Sequence, residues 1–170
     1  MRTILSTLLC AMALLAAETP RRAPGFSLPN LKAEQHDLAD YRGKVVILEF
    51  MQTTCPHCAT FIDVLDKVQQ KFGSKVAILA VVNPPDNQQA VAAYITGHKI
   101  AYPILFDCGQ VAYSYVRAVQ FDLPQVYVID ANGMIQRHYE YSALTRDIFE
   151  GNGLVSELDR LLAGAASPKK

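Results

Sequence analysis

The sequence predicts an α/β protein in which helices flank a central mixed β-sheet. Two apolar runs, 45–50 and 75–82, are separated by a segment of helical periodicity, the pattern of parallel strands joined by a helix. A third run, 125–129, is followed by an Asn-Gly pair and a fourth run, 134–139, which predicts an antiparallel hairpin. Parallel and antiparallel pairs together make the sheet mixed.

Length and composition fit one folded domain. The chain has 170 residues, of which 51% are hydrophobic, enough for a substantial core. The formal net charge is +0 and the Lys and Arg residues are scattered, so no nucleic-acid or anionic-membrane surface is predicted. We expect proteins or small thiols as partners.

The N-terminal segment has the pattern of a secretory signal. Arg2 precedes an apolar stretch ending at Ala17 that is too short to span a bilayer. We expect a signal peptide over 1–17, with an uncleaved N-terminal anchor as the alternative. The three cysteines that follow would then lie in an oxidising compartment.

The rest of the chain divides into three parts. Residues 18–24 are polar and contain proline, so a linker with little structure is expected. The folded domain is expected over 25–163, and 164–170 as a disordered tail. Within the domain, the alternation of Phe26 and Leu28 predicts a short N-terminal hairpin.

The first buried strand leads directly into Cys55-Pro56-His57-Cys58. Pro56 fits the first position of a helix, where its missing N–H is not needed, so Cys55 falls at the N-cap. An apolar stripe at helical spacing continues until Gly73, where the helix should stop.

Further helices are predicted beyond the second strand. Asp86 is expected to cap a helix over 87–96, with Gln89 completing a capping box and Gly97 ending the helix. A short strand is expected over 102–106.

The C-terminal half should hold two more helices. Asp107 is predicted to cap the first of them, near whose start Cys108 is either an activated thiol or a small buried hydrophobe. An amphipathic helix over 153–162 ends the domain.

The cysteine pair points to redox chemistry. Two intervening residues at the first turn of a helix bring the sulfurs close enough to bridge, with Cys55 at the exposed end and Cys58 behind it. Negative charge is stabilised at a helix N-terminus, and a protonated His57 would add to that effect. Cys55 is therefore predicted to attack a disulfide as the thiolate and Cys58 to resolve the product.

Zinc binding and a structural disulfide are the alternatives. Zinc usually takes four ligands, and the sequence has no second Cys-x-x-Cys or close His/Cys pair to complete a site. A structural bridge that closes so small a loop would constrain the unfolded chain little. We expect no metal and no cofactor.

The order of these features resembles the secreted TlpA/ResA-like branch of the thioredoxin-fold thiol–disulfide oxidoreductases, in the redoxin/AhpC-TSA superfamily. The resemblance covers 24–162: the hairpin, the Gly43-Lys44-Val45-Val46 strand, the Cys-x-x-Cys helix, an inserted helix and strand, and a Leu-Pro step before the last hairpin. It implies thiol–disulfide exchange in the periplasm or cell envelope of a bacterium. Cysteine-containing envelope proteins and a membrane redox partner are the implied partners.

The resemblance also implies roles for further residues. Pro124 would be the cis proline beside the cysteine pair, the backbone of Leu123 would pair with an extended substrate, and Pro56 would face that substrate. Glu49 occupies the place of a buried carboxylate with a raised pKa that relays the proton of Cys58. An ion-paired structural Glu is the alternative.

Two departures from the family pattern leave the direction of electron flow open. Thr54 and Met51 stand where family members usually carry aromatic residues, and the chain has no Trp, so the substrate-facing surface is altered. The Pro-His dipeptide is the one of strongly oxidising DsbA-like proteins, whereas the scaffold resembles envelope reductants.

Two other functions are alternatives. A peroxiredoxin, which reduces peroxides as an antioxidant, would need proline at position 48 and threonine at 52, where Leu48 and Gln52 stand. A thioredoxin-fold copper metallochaperone would use soft thiolates and a later histidine, for which His138 is the late candidate.

Overall fold

The computed structural model describes residues 21–165. The strands are β1 (Arg21–Arg22), β2 (Ser27–Pro29), β3 (Gln35–Asp37), β4 (Val45–Met51), β5 (Val76–Val82), β6 (Ile104–Phe106), β7 (Gln125–Ile129) and β8 (Met134–Glu140). The helices are α1 (Pro56–Phe72), α2 (Gln88–His98), α3 (Gln110–Val116), α4 (Arg146–Glu150) and α5 (Gly153–Ala165).

The predicted mixed sheet is confirmed. It has six strands in the order β1-β8-β7-β4-β5-β6, in which β4, β5 and β6 run parallel and the remaining pairs are antiparallel. The predicted N-terminal hairpin is also present, as the separate antiparallel pair β2 and β3. Strand β4 lies at the centre, and every one of its residues is buried.

The side chains of β4 alternate between two cores, one on each face of the sheet. Ile47 and Met51 point to the face covered by α1, α2, α4 and α5, whereas Leu48 and Phe50 point to the face covered by α3 and the N-terminal segment. This alternation directs Glu49 towards α1, the helix that carries the cysteine pair.

Helix α1 has the predicted boundaries. It begins at Pro56 with Cys55 as the N-cap, and Gly73 follows its last residue with a positive φ of 53°. Its buried face includes Cys58, Phe61 and Leu65, which pack on the sheet. Local chemistry at both ends and apolar spacing between them therefore agree with the final structure.

The prediction of a linker over 18–24 is wrong for its described part. Arg21 and Arg22 form β1 at the edge of the sheet, paired with Ile135 and Met134, and the guanidinium of Arg21 donates to the carbonyl of Tyr115 at 2.8 Å. Ordinary polar residues form this strand because backbone pairing and a side-chain hydrogen bond, rather than apolar patterning, hold it.

The structure describes part of the predicted C-terminal tail but none of the predicted signal peptide. Helix α5 continues to Ala165, so the first two residues of the tail predicted over 164–170 are helical, and the others lie outside the described residues. The signal peptide predicted over 1–17 lies outside the described residues. Between residues 21 and 165, no helix is long and apolar enough to cross a bilayer.

The predicted caps of α2 are displaced by one or two residues. Asn87, not Asp86, is the N-cap, because its extended backbone lets its side chain accept the N–H of Ala90 at 3.0 Å. Gly97 lies inside the helix, which ends only where Lys99 adopts the left-handed region at φ 56°. The carboxylate of Asp86 is used elsewhere, as described below.

The following strand and helix also begin later than predicted. Strand β6 starts at Ile104, after the buried Tyr102. Helix α3 starts at Gln110, so Gly109 precedes it and Asp107 is not the N-cap. The carboxylate of Asp107 nevertheless accepts the N–H of Ala112 at 2.9 Å, so it bonds the first turn from outside the cap position.

Helix α4 was not predicted, and it covers part of α1. It has only five residues, too few for a periodic pattern. Phe149 anchors it: this side chain is 0% exposed and lies 5.1 Å from the ring of Phe61 and 5.6 Å from that of Tyr141, measured between centroids.

Replacing Phe149 by Ala should therefore destabilise the protein by about 3–5 kcal/mol, because a buried aromatic side chain leaves a cavity. The matched control is Leu144→Ala, which removes a side chain that is 98% exposed and should change stability by less than about 0.5 kcal/mol. Urea unfolding of both variants measures the difference. Equal stabilities for the two would show that α4 contributes nothing to the core.

Candidate active site

The cysteine pair lies where β4 ends and α1 begins. The sulfur of Cys55 accepts the backbone N–H of Cys58 at 3.2 Å, as an N-cap does. Cys55 is partly exposed, Cys58 is 1% exposed, and both are free thiols. The structure thus places an accessible sulfur at the helix terminus with a second, buried sulfur one turn behind it.

Glu49 lies beneath the buried cysteine. Its residue is 1% exposed, and burial raises the pKa of its carboxyl to about 8. Burial and the nearby Glu49 together raise the pKa of the Cys58 thiol. The burial of Glu49 agrees with the raised pKa expected from the sequence, and no described residue forms an ion pair with it.

Two tyrosines share this buried region. Tyr94 comes from α2 and Tyr102 from the segment before β6, and burial raises the pKa of both phenols, with a further contribution from the charge of Glu49. Both hydroxyls and Oε1 of Glu49 are buried without a hydrogen-bond partner among the described residues. Sequence patterns did not identify these tyrosines because each is part of an ordinary apolar stripe.

His57 packs against a side chain from the C-terminal segment. Its ring stacks on Tyr141, with centroids 3.6 Å apart and planes 17° apart. The hydroxyl of Tyr141 donates to Glu150 at 2.6 Å, and Arg146 donates to the same carboxylate. These two bonds hold the pKa of the Glu150 carboxyl below its usual range. His57 is therefore fixed beside Cys55 by contacts with a short segment that the sequence did not single out.

The Leu123–Pro124 step lies beside the cysteine pair. The Leu123–Pro124 peptide bond is cis, as the resemblance implied. The carbonyl oxygen of Leu123 lies 3.7 Å from the sulfur of Cys55. Pro56 is exposed at the start of α1. The site residues expected from sequence are thus brought together at one end of the sheet.

Asp86 holds the loop that leads into the cysteine pair. Its carboxylate accepts the backbone N–H of Thr53 at 2.8 Å and the hydroxyl of Thr53 at 2.6 Å. Thr53 stands two residues before Cys55, so this double contact fixes the approach of the chain to the N-cap. From the sequence, Asp86 was predicted to cap α2, although the neighbouring Asn87 is equally able to cap a helix.

Other candidate residues lie apart from this arrangement. Cys108 is exposed before α3. His138 on β8 bonds Gln125 at 2.6 Å and stacks on Tyr127, so its ring is engaged within the sheet. Among residues 21–165, no group of three or more His, Cys, Asp or Glu side chains is placed to hold a metal ion.

Comparison with known proteins places this site in a family. The profile of the AhpC/TSA family matches residues 20–138. The chain is 30% identical over 118 residues to the thioredoxin-like protein YneN of Bacillus subtilis, an alignment that covers 68% of each chain. It is 32% identical to the thiol-disulfide oxidoreductase ResA of Geobacillus thermodenitrificans, over 68% of this chain and 65% of ResA.

Solved structures agree on the fold. The chain matches the structure of a protein from Chlorobium tepidum that is provisionally named thiol:disulfide interchange protein DsbE. The TM-score is 0.69 and the identity 21%, over 89% of this chain and 100% of that one. It also matches a protein from Bacteroides thetaiotaomicron that is provisionally named a protein disulfide isomerase. Here the TM-score is 0.68 and the identity 23%, over 84% of this chain and 88% of that one. The thioredoxin-like fold is thereby confirmed.

Removing the carboxylate of Asp86 should loosen the loop before Cys55. We expect Asp86→Ala to lower stability by about 1–3 kcal/mol, because two hydrogen bonds to a charged group are lost, and to slow disulfide exchange. Thr53→Val removes one of the two bonds and should have a smaller effect. Urea unfolding measures the stability of these variants, and a disulfide-exchange assay measures their rates. The control is Asp63→Ala, which removes an exposed carboxylate. Equal stabilities and rates for Asp86→Ala and this control would contradict the role of Asp86.

The raised pKa of Glu49 makes stability depend on pH. Below pH 4.5 the Glu49 carboxyl is protonated in both the folded and the unfolded chain. Between pH 4.5 and about 8 only the unfolded chain releases this proton, so stability falls as pH rises. Above pH 8 the full loss of stability, about 5 kcal/mol, is present.

Glu49→Gln should remove this loss. We expect the variant to gain stability relative to the wild type between pH 5 and pH 8, as measured by urea unfolding of the reduced proteins. The exposed Glu140→Gln serves as the control and should follow the wild type. Parallel pH profiles for Glu49→Gln and the wild type would mean that the carboxyl is not buried as a neutral acid.

Proposed function

The chain belongs to the AhpC/TSA family and is a thiol–disulfide oxidoreductase of the thioredoxin fold, and from this premise we propose a role in the reaction for each site residue. Cys55 is the attacking thiol and Cys58 the resolving thiol. The observation that carries this assignment is that Cys55 is partly exposed and its sulfur accepts a helix N–H at 3.2 Å, whereas Cys58 is buried behind it.

The exchange proceeds in two balanced steps. The thiolate of Cys55 attacks one sulfur of a substrate disulfide, forming a mixed disulfide and releasing the other substrate sulfur as a thiolate. Cys58 then loses its proton and attacks the sulfur of Cys55, forming the Cys55–Cys58 disulfide and releasing the second substrate thiolate. Two electrons pass to the substrate; the reverse sequence oxidises a substrate dithiol.

Glu49 serves as the acceptor of the Cys58 proton. A buried thiol needs a base nearby, and a carboxyl with a pKa of about 8 exchanges a proton readily near neutral pH. Cys58 carries no charge while the mixed disulfide forms. Cys58 and Glu49 together therefore hold at most one negative charge throughout the reaction. Glu49 therefore acts on the second step, the resolution of the mixed disulfide.

Leu123, Pro124 and Pro56 form the surface that receives the substrate chain. The carbonyl of Leu123 is the backbone group beside the sulfur of Cys55, which supports pairing with an extended substrate segment there. His57 adds positive charge to the same end when it is protonated. The reduction potential of the cysteine pair, to which these groups contribute, sets the direction of electron flow.

We place this activity in the cell envelope of a bacterium, where disulfides form and persist. The N-terminal sequence pattern supports export, and the proteins served would be cysteine-containing envelope proteins. A membrane redox partner would return the pair to its starting state after each cycle. No nucleic acid takes part.

Serine variants of the two cysteines test the assignment. Cys55→Ser should abolish exchange with a small disulfide, because the attacking sulfur is gone. Cys58→Ser should complete only the first step and accumulate a mixed disulfide on Cys55, visible as a mass increase. Cys108→Ser is the matched control and should exchange like the wild type.

The opposite pattern would reverse the roles. A mixed disulfide that accumulates in Cys55→Ser but not in Cys58→Ser would make Cys58 the attacking thiol. Full exchange by Cys55→Ser would end the proposal altogether.

A further inference from the structure

A chain of three contacts extends from the Cys-x-x-Cys motif to helix α4. The ring of His57, in the first turn of α1, lies against the ring of Tyr141, with centroids 3.6 Å apart and planes 17° apart. The hydroxyl of Tyr141 donates to one carboxylate oxygen of Glu150 at 2.6 Å, and Arg146 donates to the other oxygen at 2.6 Å. A carboxylate on α4 is thereby linked through one aromatic ring to a residue of the motif.

These contacts favour the positively charged form of the His57 ring. A cation that lies on the face of an aromatic ring is attracted by the negative charge density of that face. The hydrogen bond from Tyr141 to a charged acceptor polarises the phenol in the same sense. The bonds from Tyr141 and Arg146 lower the pKa of the Glu150 carboxyl, and the charge of His57 lowers this pKa further. The imidazolium and the carboxylate therefore stabilise each other.

Arg146 offsets only part of this effect. Its side chain is 69% exposed, whereas that of Glu150 is 26% exposed. Solvent screens an exposed charge more strongly than a partly buried one. The negative charge of Glu150 consequently outweighs the positive charge of Arg146 at the His57 ring.

A positive charge on His57 lowers the free energy of the reduced cysteine pair more than that of the disulfide. In the reduced protein the sulfur of Cys55 can be a thiolate, which a neighbouring cation stabilises. The disulfide carries no charge that the cation could stabilise. Stabilisation of the reduced form makes the Cys55–Cys58 disulfide a stronger oxidant.

Building on the proposed function, we propose that Tyr141 and Glu150 are positioning residues that favour the reduced cysteine pair by holding a positively charged His57 beside Cys55. They act on the sulfurs through the His57 ring. The motif alone leaves the direction of electron flow open, and this contact with α4 shifts it towards donation of disulfides to substrates.

The test measures the equilibrium of the protein with glutathione at pH 7. In this reaction the reduced pair gives two electrons to glutathione disulfide, which forms the Cys55–Cys58 disulfide and two molecules of glutathione. Tyr141→Leu removes the stacked ring and should raise the equilibrium constant for this oxidation about tenfold, a change of about 30 mV for a two-electron couple. Tyr141→Phe keeps the stack and should recover most of the wild-type value.

A second variant separates the charge of Glu150 from the packing of Tyr141. Glu150→Gln keeps an acceptor for the hydroxyl of Tyr141 but removes the negative charge, and it should raise the equilibrium constant about threefold. Because this change leaves every ring in place, it keeps the test decisive even where Tyr141→Leu fails to fold.

The variant His57→Asn shows whether the effect passes through the imidazole. In this background Tyr141→Leu should change the equilibrium constant by less than about twofold. The matched control is Tyr41→Leu, which removes a tyrosine that stacks on a different histidine, His36, in the segment before β4. This control should keep the wild-type constant.

An unchanged constant in Tyr141→Leu or in Glu150→Gln would overturn the proposal, and so would a lowered one, which would mean that these contacts favour the disulfide. A tenfold effect of Tyr141→Leu that persists in the His57→Asn background would overturn it as well, because the effect would not pass through His57. A wild type that forms no reversible Cys55–Cys58 disulfide in these buffers would instead overturn the proposed exchange function. The two failures are therefore distinguishable.

Discussion

The site depends on one junction, where buried strand β4 passes into helix α1 within four residues. The strand fixes the position of Glu49, and the helix N-terminus fixes the sulfur of Cys55 by the N–H of Cys58. Because β4 is central and fully buried, its end cannot shift without disturbing the pairing on both sides. The strand and the helix therefore hold a partly exposed cysteine, a buried cysteine and a buried carboxyl in a fixed relation.

Around this junction, each neighbouring element contributes one contact to the reacting end. Asp86 accepts two hydrogen bonds that hold the incoming loop, the ring of Tyr141 stacks on His57, and the carbonyl of Leu123 faces Cys55. These three residues come from different parts of the chain. They converge because the parallel and antiparallel strands of a mixed sheet deliver their connecting loops to the same end.

Features that arise from local chemistry could be predicted from the sequence. The helix bounded by Pro56 and Gly73 and the Asn-Gly hairpin follow from residues that favour one backbone state wherever they occur. Strand β1 and helix α4 could not be predicted in this way. Both are short, and tertiary contacts hold them, those of Arg21 with Tyr115 and of Phe149 with Phe61. Asp86 was misread for a related reason, because its partner Thr53 is 33 residues away.

The site itself shows the same division between local and distant causes. The cysteine pair and the place of Glu49 depend on sequence spacing along one strand and one helix, so they were accessible to prediction. Tyr94, Tyr102 and Tyr141 come from other parts of the chain, and only tertiary packing brings them to the pair. A Cys-x-x-Cys motif therefore identifies the reaction, whereas the surrounding elements decide how strongly each thiol and carboxyl holds its proton. It follows that proteins with the same motif can differ in potential and substrate without any change in the motif.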